Sequence, residues 1–252
     1  MLAKIRSTAG YSLLELVIVI VIVAIIATVA MKSQTATNDI VRVEETKGEL
    51  EQLAWAITGN QSLVSGGSRI DFGYVGDVGA LPSNLDDLIS NPGGLATWDG
   101  PYVQDDFYAA VGGPSSEFKT DAWGRAYQFS GGATIVSTGG GTTITQRLAN
   151  SLDDLLYNRL TVTVVDLDND PPGSVYRDSV RLILIHPDGA GGFATRNSSP
   201  DANGLALFDS IPIGQQTLRT VYLPSNDTLT RLVTFTPGGD SFMQTQLFGD
   251  LW

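Results

Sequence analysis

Positions 16 to 31 are apolar throughout except for Thr28, and from Lys32 onward apolar and polar residues interleave. Tyr11 to Met31 is 21 residues, which as a helix spans about 32 Å, the thickness of one hydrocarbon core. The run is rich in Val and Ile, poor helix formers in water. In lipid the backbone must satisfy its own hydrogen bonds, so a helix is still the only single-span solution. Beyond the run, Ile40, Val43, Leu50, Leu53 and Ile57 recur at helical spacings, with Arg42, Glu44, Glu45, Lys47, Glu49 and Glu51 between them. That pattern predicts an amphipathic continuation with one buried stripe. Gly59-Asn60 is the expected stop, and Gly48 a soft point inside the helix.

The pattern then shortens. Residues 59–158 are broken by glycine-rich turns, with a short helix expected after Leu81-Pro82, capped near Ser83 or Asn84. Thr120–Phe129 and Thr134–Gly139 read as hairpin strands around Ser130-Gly131-Gly132. Leu148, Leu152, Leu155 and Leu156 predict a connecting helix over 145–158. From Leu160 the period becomes two. Strands are expected at 160–165, 179–185, 204–208, 216–222, 229–235 and 242–248, separated by turns such as Pro187-Asp188-Gly189 and Pro237-Gly238-Gly239. Short strands at this spacing argue for a β-sandwich over 159–252.

Charge and composition narrow the chemistry. The net charge of -12 argues against nucleic-acid binding, which needs a basic footprint. The absence of cysteine removes disulfides, thiolate metal sites and cysteine catalysis. A single histidine, His186, offers little to zinc. No nucleophile elbow and no phosphate-binding lysine loop is present, and the Gly139-Gly140-Gly141 run lacks the lysine such a loop requires. Asp166-Leu167-Asp168-Asn169-Asp170 starts like a calcium loop, but Pro171 and Arg177 stand where an EF-hand needs glycine and glutamate.

The N-terminus is more specific. Lys4 and Arg6 precede the span, so the positive-inside rule keeps the first residues cytoplasmic and sends the rest across. An ordinary signal peptide has a shorter apolar region followed by a small-residue cleavage site. Here the small residue, Gly10, precedes the run instead. Glu15 is a carboxylate inside apolar sequence, a cost of roughly 2.5–3.5 kcal/mol on insertion scales, and so asks for a partner. Gly10-Tyr11-Ser12-Leu13-Leu14-Glu15 resembles the type IV prepilin signal, with glycine before an aromatic residue and glutamate fifth after it. The resemblance implies a leader over 1–10, cleavage between Gly10 and Tyr11 by a prepilin peptidase, and N-methylation of Tyr11. Tyrosine stands where most members have phenylalanine. Cleavage would leave a positive amine on Tyr11. Glu15 shares its helix face at i+4, and pairing with that amine on its own or a neighbouring chain would offset both charges.

Residues 79–140 resemble the type II secretion major pseudopilins through Leu81-Pro82 before a short helix, Gly100-Pro101-Tyr102, Asp121-x-Trp123-Gly124-x-x-Tyr127 and Ile135-Val136-Ser137-x-Gly139. In that family the following loop binds calcium. Here it reads Thr138-Gly139-Gly140-Gly141-Thr142 without a carboxylate, which leaves Asp153 and Asp154, together with Asp166, Asp168 and Asp170, as the calcium candidates. Asp201-x-Asn203-Gly204-x-x-x-Phe208-x-x-Ile211-Pro212-x-Gly214 resembles the carboxypeptidase regulatory-like (transthyretin-like) domains, which are mostly non-catalytic.

The expected fold is α+β: a long transmembrane and amphipathic helix (11–58) on a small pilin-type head (59–158), followed by the sandwich (159–252). The resemblance implies a non-enzymatic subunit of a type IV pilus-like or type II secretion pseudopilus filament. It would be single-pass in a bacterial inner membrane with a cytoplasmic N-terminus, and periplasmic or extracellular once assembled. The implied partners are copies of itself, the peptidase, an inner-membrane assembly platform, minor pilins or pseudopilins, and the bilayer. The alternatives are a minor tip pilin whose sandwich is a binding module, and an anchored periplasmic protein that never polymerises.

Overall fold

The computed structural model describes residues 13–103, 117–130, 132–239, 242–247, 249 and 252. It divides into two compact units, residues 1–45 and 46–252. One helix, α1 (Leu13–Thr58, 46 residues), runs through both. At 1.5 Å per residue it is about 69 Å long.

In the first unit the apolar run is exposed on every side; Leu16, Ile20, Ile26 and Val29 all face outward. A helix apolar all round belongs inside a membrane or a larger assembly, and this one is long and apolar enough to cross a bilayer. Its one polar interruption is satisfied internally, because the Thr28 hydroxyl donates to the Ala24 carbonyl at 2.7 Å.

In the second unit α1 has one buried stripe: Thr46, Leu50, Leu53, Ala54 and Ile57. Ile40, expected on that stripe, is exposed instead; burial begins at Thr46. The helix ends as Gly59-Asn60 predicts. Gly59 is left-handed (φ 82°) and its N–H donates to the Trp55 carbonyl at 2.7 Å. A side chain at Gly59 would lie 2.3 Å from the Asp71 carbonyl oxygen. The guanidinium of Arg69 donates to the Thr58 and Gly59 carbonyls and lies 4.8 Å over the Phe72 ring. A cation therefore meets the negative end of the helix.

The hairpin β1 (Val64–Ser65) and β2 (Ser68–Arg69) leads to α2 (Gly73–Val78). The helix expected after Pro82 is a single 3-10 turn, Leu85–Leu88. Asn84 caps it: its side chain accepts the Asp86 N–H at 2.8 Å, and Asp87 accepts those of Ser83 and Asn84. A three-stranded antiparallel sheet follows, β3 (Gln128–Ser130), β4 (Thr134–Ser137) and β5 (Ile144–Arg147). Two expectations change here. Thr120–Phe129 is a strand only at its end, because Asp121–Gly124 is a tight turn. The helix over 145–158 shrinks to α3 (Asp153–Leu156). Residues 144–147 pair with β4 instead, and Leu148 donates to the Ala133 carbonyl at 2.8 Å.

The remaining strands are β6 (Asn158–Val165), β7 (Val180–Pro187), β8 (Phe193–Ser198), β9 (Leu205–Ile211), β10 (Gly214–Tyr222), β11 (Asp227–Phe235) and β12 (Phe242–Leu247). They form a four-stranded antiparallel sheet ordered β11-β10-β7-β8 and a three-stranded sheet ordered β12-β6-β9, with β12 parallel to β6. Leu160, Val162 and Val164 of one sheet and Leu182, Leu184, Leu218 and Phe235 of the other are buried in one core. Period-two alternation places them there.

Head and sandwich join by backbone contacts. Gly189 donates to Val78, Ala96 to Gly191 and Ile213 to Leu155, each at 2.9 Å. Ile213, though it lies between two sandwich strands, is fully buried in the head core with Leu53, Ile57 and Val75.

Candidate functional site

Glu15 lies in the first described turn of α1 and is exposed, among equally exposed Leu13, Leu14 and Leu16. Gly10 and Tyr11 lie outside the described residues. Between Leu13 and Met31 Glu15 is the one charged side chain.

The calcium candidates are placed one by one. Asp166 is buried, and its Oδ1 accepts the N–H groups of Asp168 and Asp170 at 3.1 and 2.8 Å. Asp168 and Asp170 are exposed. The Asp170 carbonyl accepts the Asp166 N–H at 3.0 Å and the Trp252 indole N–H at 2.9 Å. Asp154 makes a reciprocal cap with Ser151, each bond at 3.2 Å, and Asp153 stands exposed beside it. Among the described residues no group of three or more His, Asp or Glu side chains is placed to hold a metal.

The Asp166 turn is one of four alike. Asp121 Oδ1 accepts the N–H groups of Trp123 and Arg125 at 3.0 and 2.9 Å. Asp188 does the same for Ala190 and Gly192 at 2.8 and 2.9 Å, and Asp201 for Asn203 and Leu205, both at 2.8 Å. In each turn the aspartate N–H donates to the carbonyl four residues on. In each the residue three after the aspartate has positive φ: Gly124, Asn169, Gly191 and Gly204. The signal is legible as Asp-x-x-Gly, or Asp-x-x-Asn at Asp166. These carboxylates hold backbone donors in tight turns, and the calcium-like spacing of 166–170 is also the spacing of such a turn.

Asp121 does more. Its Oδ2 also accepts the Ser137 hydroxyl at 2.6 Å and the Gly139 N–H at 3.0 Å. One buried carboxylate thus ties the Asp121-x-Trp123-Gly124 turn to the Ser137-x-Gly139 strand end. Burial alone would raise its carboxyl, but four donors, the Ser137 hydroxyl foremost, hold it below the usual carboxylate range. A side chain at Gly139 would strike this carboxylate, and one at Gly140 would strike Trp123. Tyr127, buried beside the turn, donates its hydroxyl to Glu49 of α1, and Thr46 accepts the Ala122 N–H at 3.3 Å. The motif is therefore the seat on which α1 rests.

A second polar knot lies under α2. Tyr102 donates its hydroxyl to Asp77 at 2.8 Å and receives the Asp99 N–H at 3.0 Å. Burial, with a smaller push from Asp99 and Asp71 against the Tyr102 bond, raises the Asp77 carboxyl to about 6.

Residues 5–31 match the prokaryotic N-terminal methylation motif. With the long apolar helix, the motif defines a filament subunit of the prepilin class, anchored in a membrane by that helix. Type II secretion system core protein G of Xanthomonas campestris pv. campestris is 31% identical over 119 residues, covering 47% of this chain and 73% of that protein. The chain belongs to the type II secretion system core protein G family. Two solved structures are similar to part of the chain. They are the Bacillus anthracis TIE protein (8% identity, TM-score 0.31) and BcpA, the major pilin subunit of Bacillus cereus, as its D312A variant (12%, TM-score 0.26). Each likeness covers 49% of this chain, but only 24% and 41% of those chains respectively.

Proposed function

We propose that the chain is processed between Gly10 and Tyr11, methylated on Tyr11, and polymerised from a bacterial inner membrane into a pilus- or pseudopilus-type filament. It is a structural subunit and not an enzyme. The observation that carries this reading is the joining of a methylation motif to one helix whose first half is apolar on every side and whose second half carries a folded head. The apolar half serves first as membrane anchor and then, bundled with copies of itself, as filament core. Glu15 pairs with the Tyr11 amine of a neighbouring subunit and sets the register. The peptidase, an inner-membrane assembly platform, minor pilins or pseudopilins and the bilayer are the partners this cycle requires. Calcium, if bound, would use carboxylates other than those already engaged in turns.

The test is N-terminal peptide mass spectrometry on membrane and sheared-surface fractions. Protein starting at methylated Tyr11 and enriched in the sheared fraction is expected. Protein that keeps residues 1–10 and stays in the membrane would overturn the reading. Glu15→Ala should still be processed and yet lose at least tenfold in sheared filament; normal yield would remove the pairing role.

A further inference from the structure

We infer that the outer face of the four-stranded sheet is a docking surface for the acidic head of a second copy of this chain. The inference rests on the filament reading above and adds to it a contact made by the sandwich.

Cross-strand register fixes which residues share that face. Val180, Leu182 and Leu184 of β7 point into the core, so Arg181, Ile183 and Ile185 point out. Their partners on β10 and β8, including Arg219, Thr217 and Asn197, point out with them. Arg181 lies opposite Val221, and Arg219 opposite Ile183. The two arginines are thus diagonal neighbours on adjacent strands, within reach of one ligand surface. Both are exposed. Neither has a carboxylate partner among the described residues, and no Asp or Glu shares their face. A shallow groove of about 450 Å³ opens beside Arg181, lined also by Asn197, Ser198 and Ser199. The same face exposes Leu232 (61%) and, at its rim, Phe193 (68%).

The segregation is unusual in a chain of net charge -12. Six arginines follow residue 158, and two of them, Arg181 and Arg219, stand together on this outer face; Arg196 and Arg231 register with the core residues Leu184 and Leu218 and so lie on the other face of the sheet. Residues 46–158 carry thirteen carboxylates against five cations, with Glu51 and Asp99 among those exposed. Copies of a uniformly acidic subunit repel one another when packed into a polymer. A subunit with one basic face and an acidic head can instead meet its neighbour with opposite charge, which favours encounter and fixes orientation. Charge complementarity within the polymer names the occupant: the basic sheet of one copy lies on the head of another. The exposed leucine and phenylalanine supply the apolar part of the contact.

The test uses full-length protein in cells. A photo-crosslinking residue replaces Thr217, and R181E/R219E is made separately. In sheared filaments Thr217 should crosslink to peptides from residues 46–158 of a second copy. R181E/R219E should lower sheared filament at least fivefold, with N-terminal processing and melting temperature unchanged because both side chains are exposed. Filaments that form normally in R181E/R219E, with no crosslink between copies from position 217, overturn the docking surface and leave the filament reading intact. A crosslink to a different protein overturns the choice of occupant. Wild-type protein that is neither processed nor sheared fails at the earlier step and overturns both.

Discussion

Four aspartates, 121, 166, 188 and 201, perform one task, and their differences set what each replacement costs. Asp201 uses only Oδ1 to hold two N–H groups. Asparagine keeps that oxygen, so Asp201→Asn should be nearly neutral, whereas Asp201→Ala should cost about 1 kcal/mol. Asp121 uses both oxygens for four donors in a buried site. Its amide would turn an N–H₂ group toward the Gly139 N–H, so Asp121→Asn should cost about 2–4 kcal/mol and Asp121→Ala no less. Urea denaturation of the four variants checks this ordering; an Asp121→Asn as mild as Asp201→Asn would refute it. Because Asp121 is held below the usual carboxylate range, its contribution is present above the unfolded value near 4. It is lost as pH falls through its lower folded value.

Asp77 has the opposite sign. Its carboxyl is raised to about 6 by burial, so the folded state binds a proton that the unfolded state has released. The stability it lends is full below about 4 and lost as pH rises through about 6. His186 runs against it across overlapping pH: burial, despite the Pro187 carbonyl 2.8 Å from Nδ1, holds the ring below its ordinary value. Stability from neutral His186 is therefore lost as pH falls below about 6.5. The wild-type curve mixes the two, and a variant separates them. Asp77→Asn keeps an oxygen for the Tyr102 hydroxyl and should be more stable than wild type at pH 7.5 by about 1–2 kcal/mol, discounted for partial exposure. The advantage should vanish by pH 4. Melting curves at the two pH values decide it, and an advantage constant with pH would mean that ionisation of Asp77 is not its source.

At the scale of elements, α1 is the part the sequence states most openly. Its apolar run needs no partner to be recognised, and Gly59 ends it because only glycine fits against the Asp71 carbonyl. The core strands β6, β7, β9, β10 and β11 are legible for a related reason: each buries one face, and burial imposes period two. β8 is not legible. It is an edge strand, Phe193-Ala194-Thr195-Arg196-Asn197-Ser198, with neither face fully buried, so nothing enforces alternation. The run from Leu148 to Leu156 misleads because leucines at helical spacing also arise when a strand end and a short helix meet one core. Of the candidate sites, Glu15 stands out as a charge in apolar sequence. The turn role of Asp166 is hidden, since ligand and turn aspartates share a spacing and only the backbone tells them apart. Within α1, Gly48 meets nothing within 4 Å of where a side chain would start. Gly48→Ala should therefore stabilise the helix by about 0.5–1 kcal/mol without a clash. Circular dichroism melting of detergent-solubilised protein measures it, and a lower melting temperature would show that the glycine serves a tighter contact.

At the scale of the whole molecule, head and sandwich are bound by more than a linker. Ile213 belongs by sequence to the sandwich and by packing to the head core, and the Val78–Gly189, Gly191–Ala96 and Leu155–Ile213 bonds tie the two backbones. Because Ile213 is fully buried in the head core between two sandwich strands, neither half can open without exposing part of that core. Residues 46–252 should therefore unfold as one cooperative unit. Ile213→Ala removes a fully buried side chain at the junction and should cost about 2–5 kcal/mol. If the junction couples the halves, calorimetry will show a single transition in both proteins, moved down as a whole in the variant. Two transitions, with only the head's displaced, would mean that the sandwich is a passenger. A single transition has a consequence for the filament. A sandwich fixed rigidly to the head presents its basic sheet at the same angle on every subunit, and only then can one face repeat the same contact along a polymer.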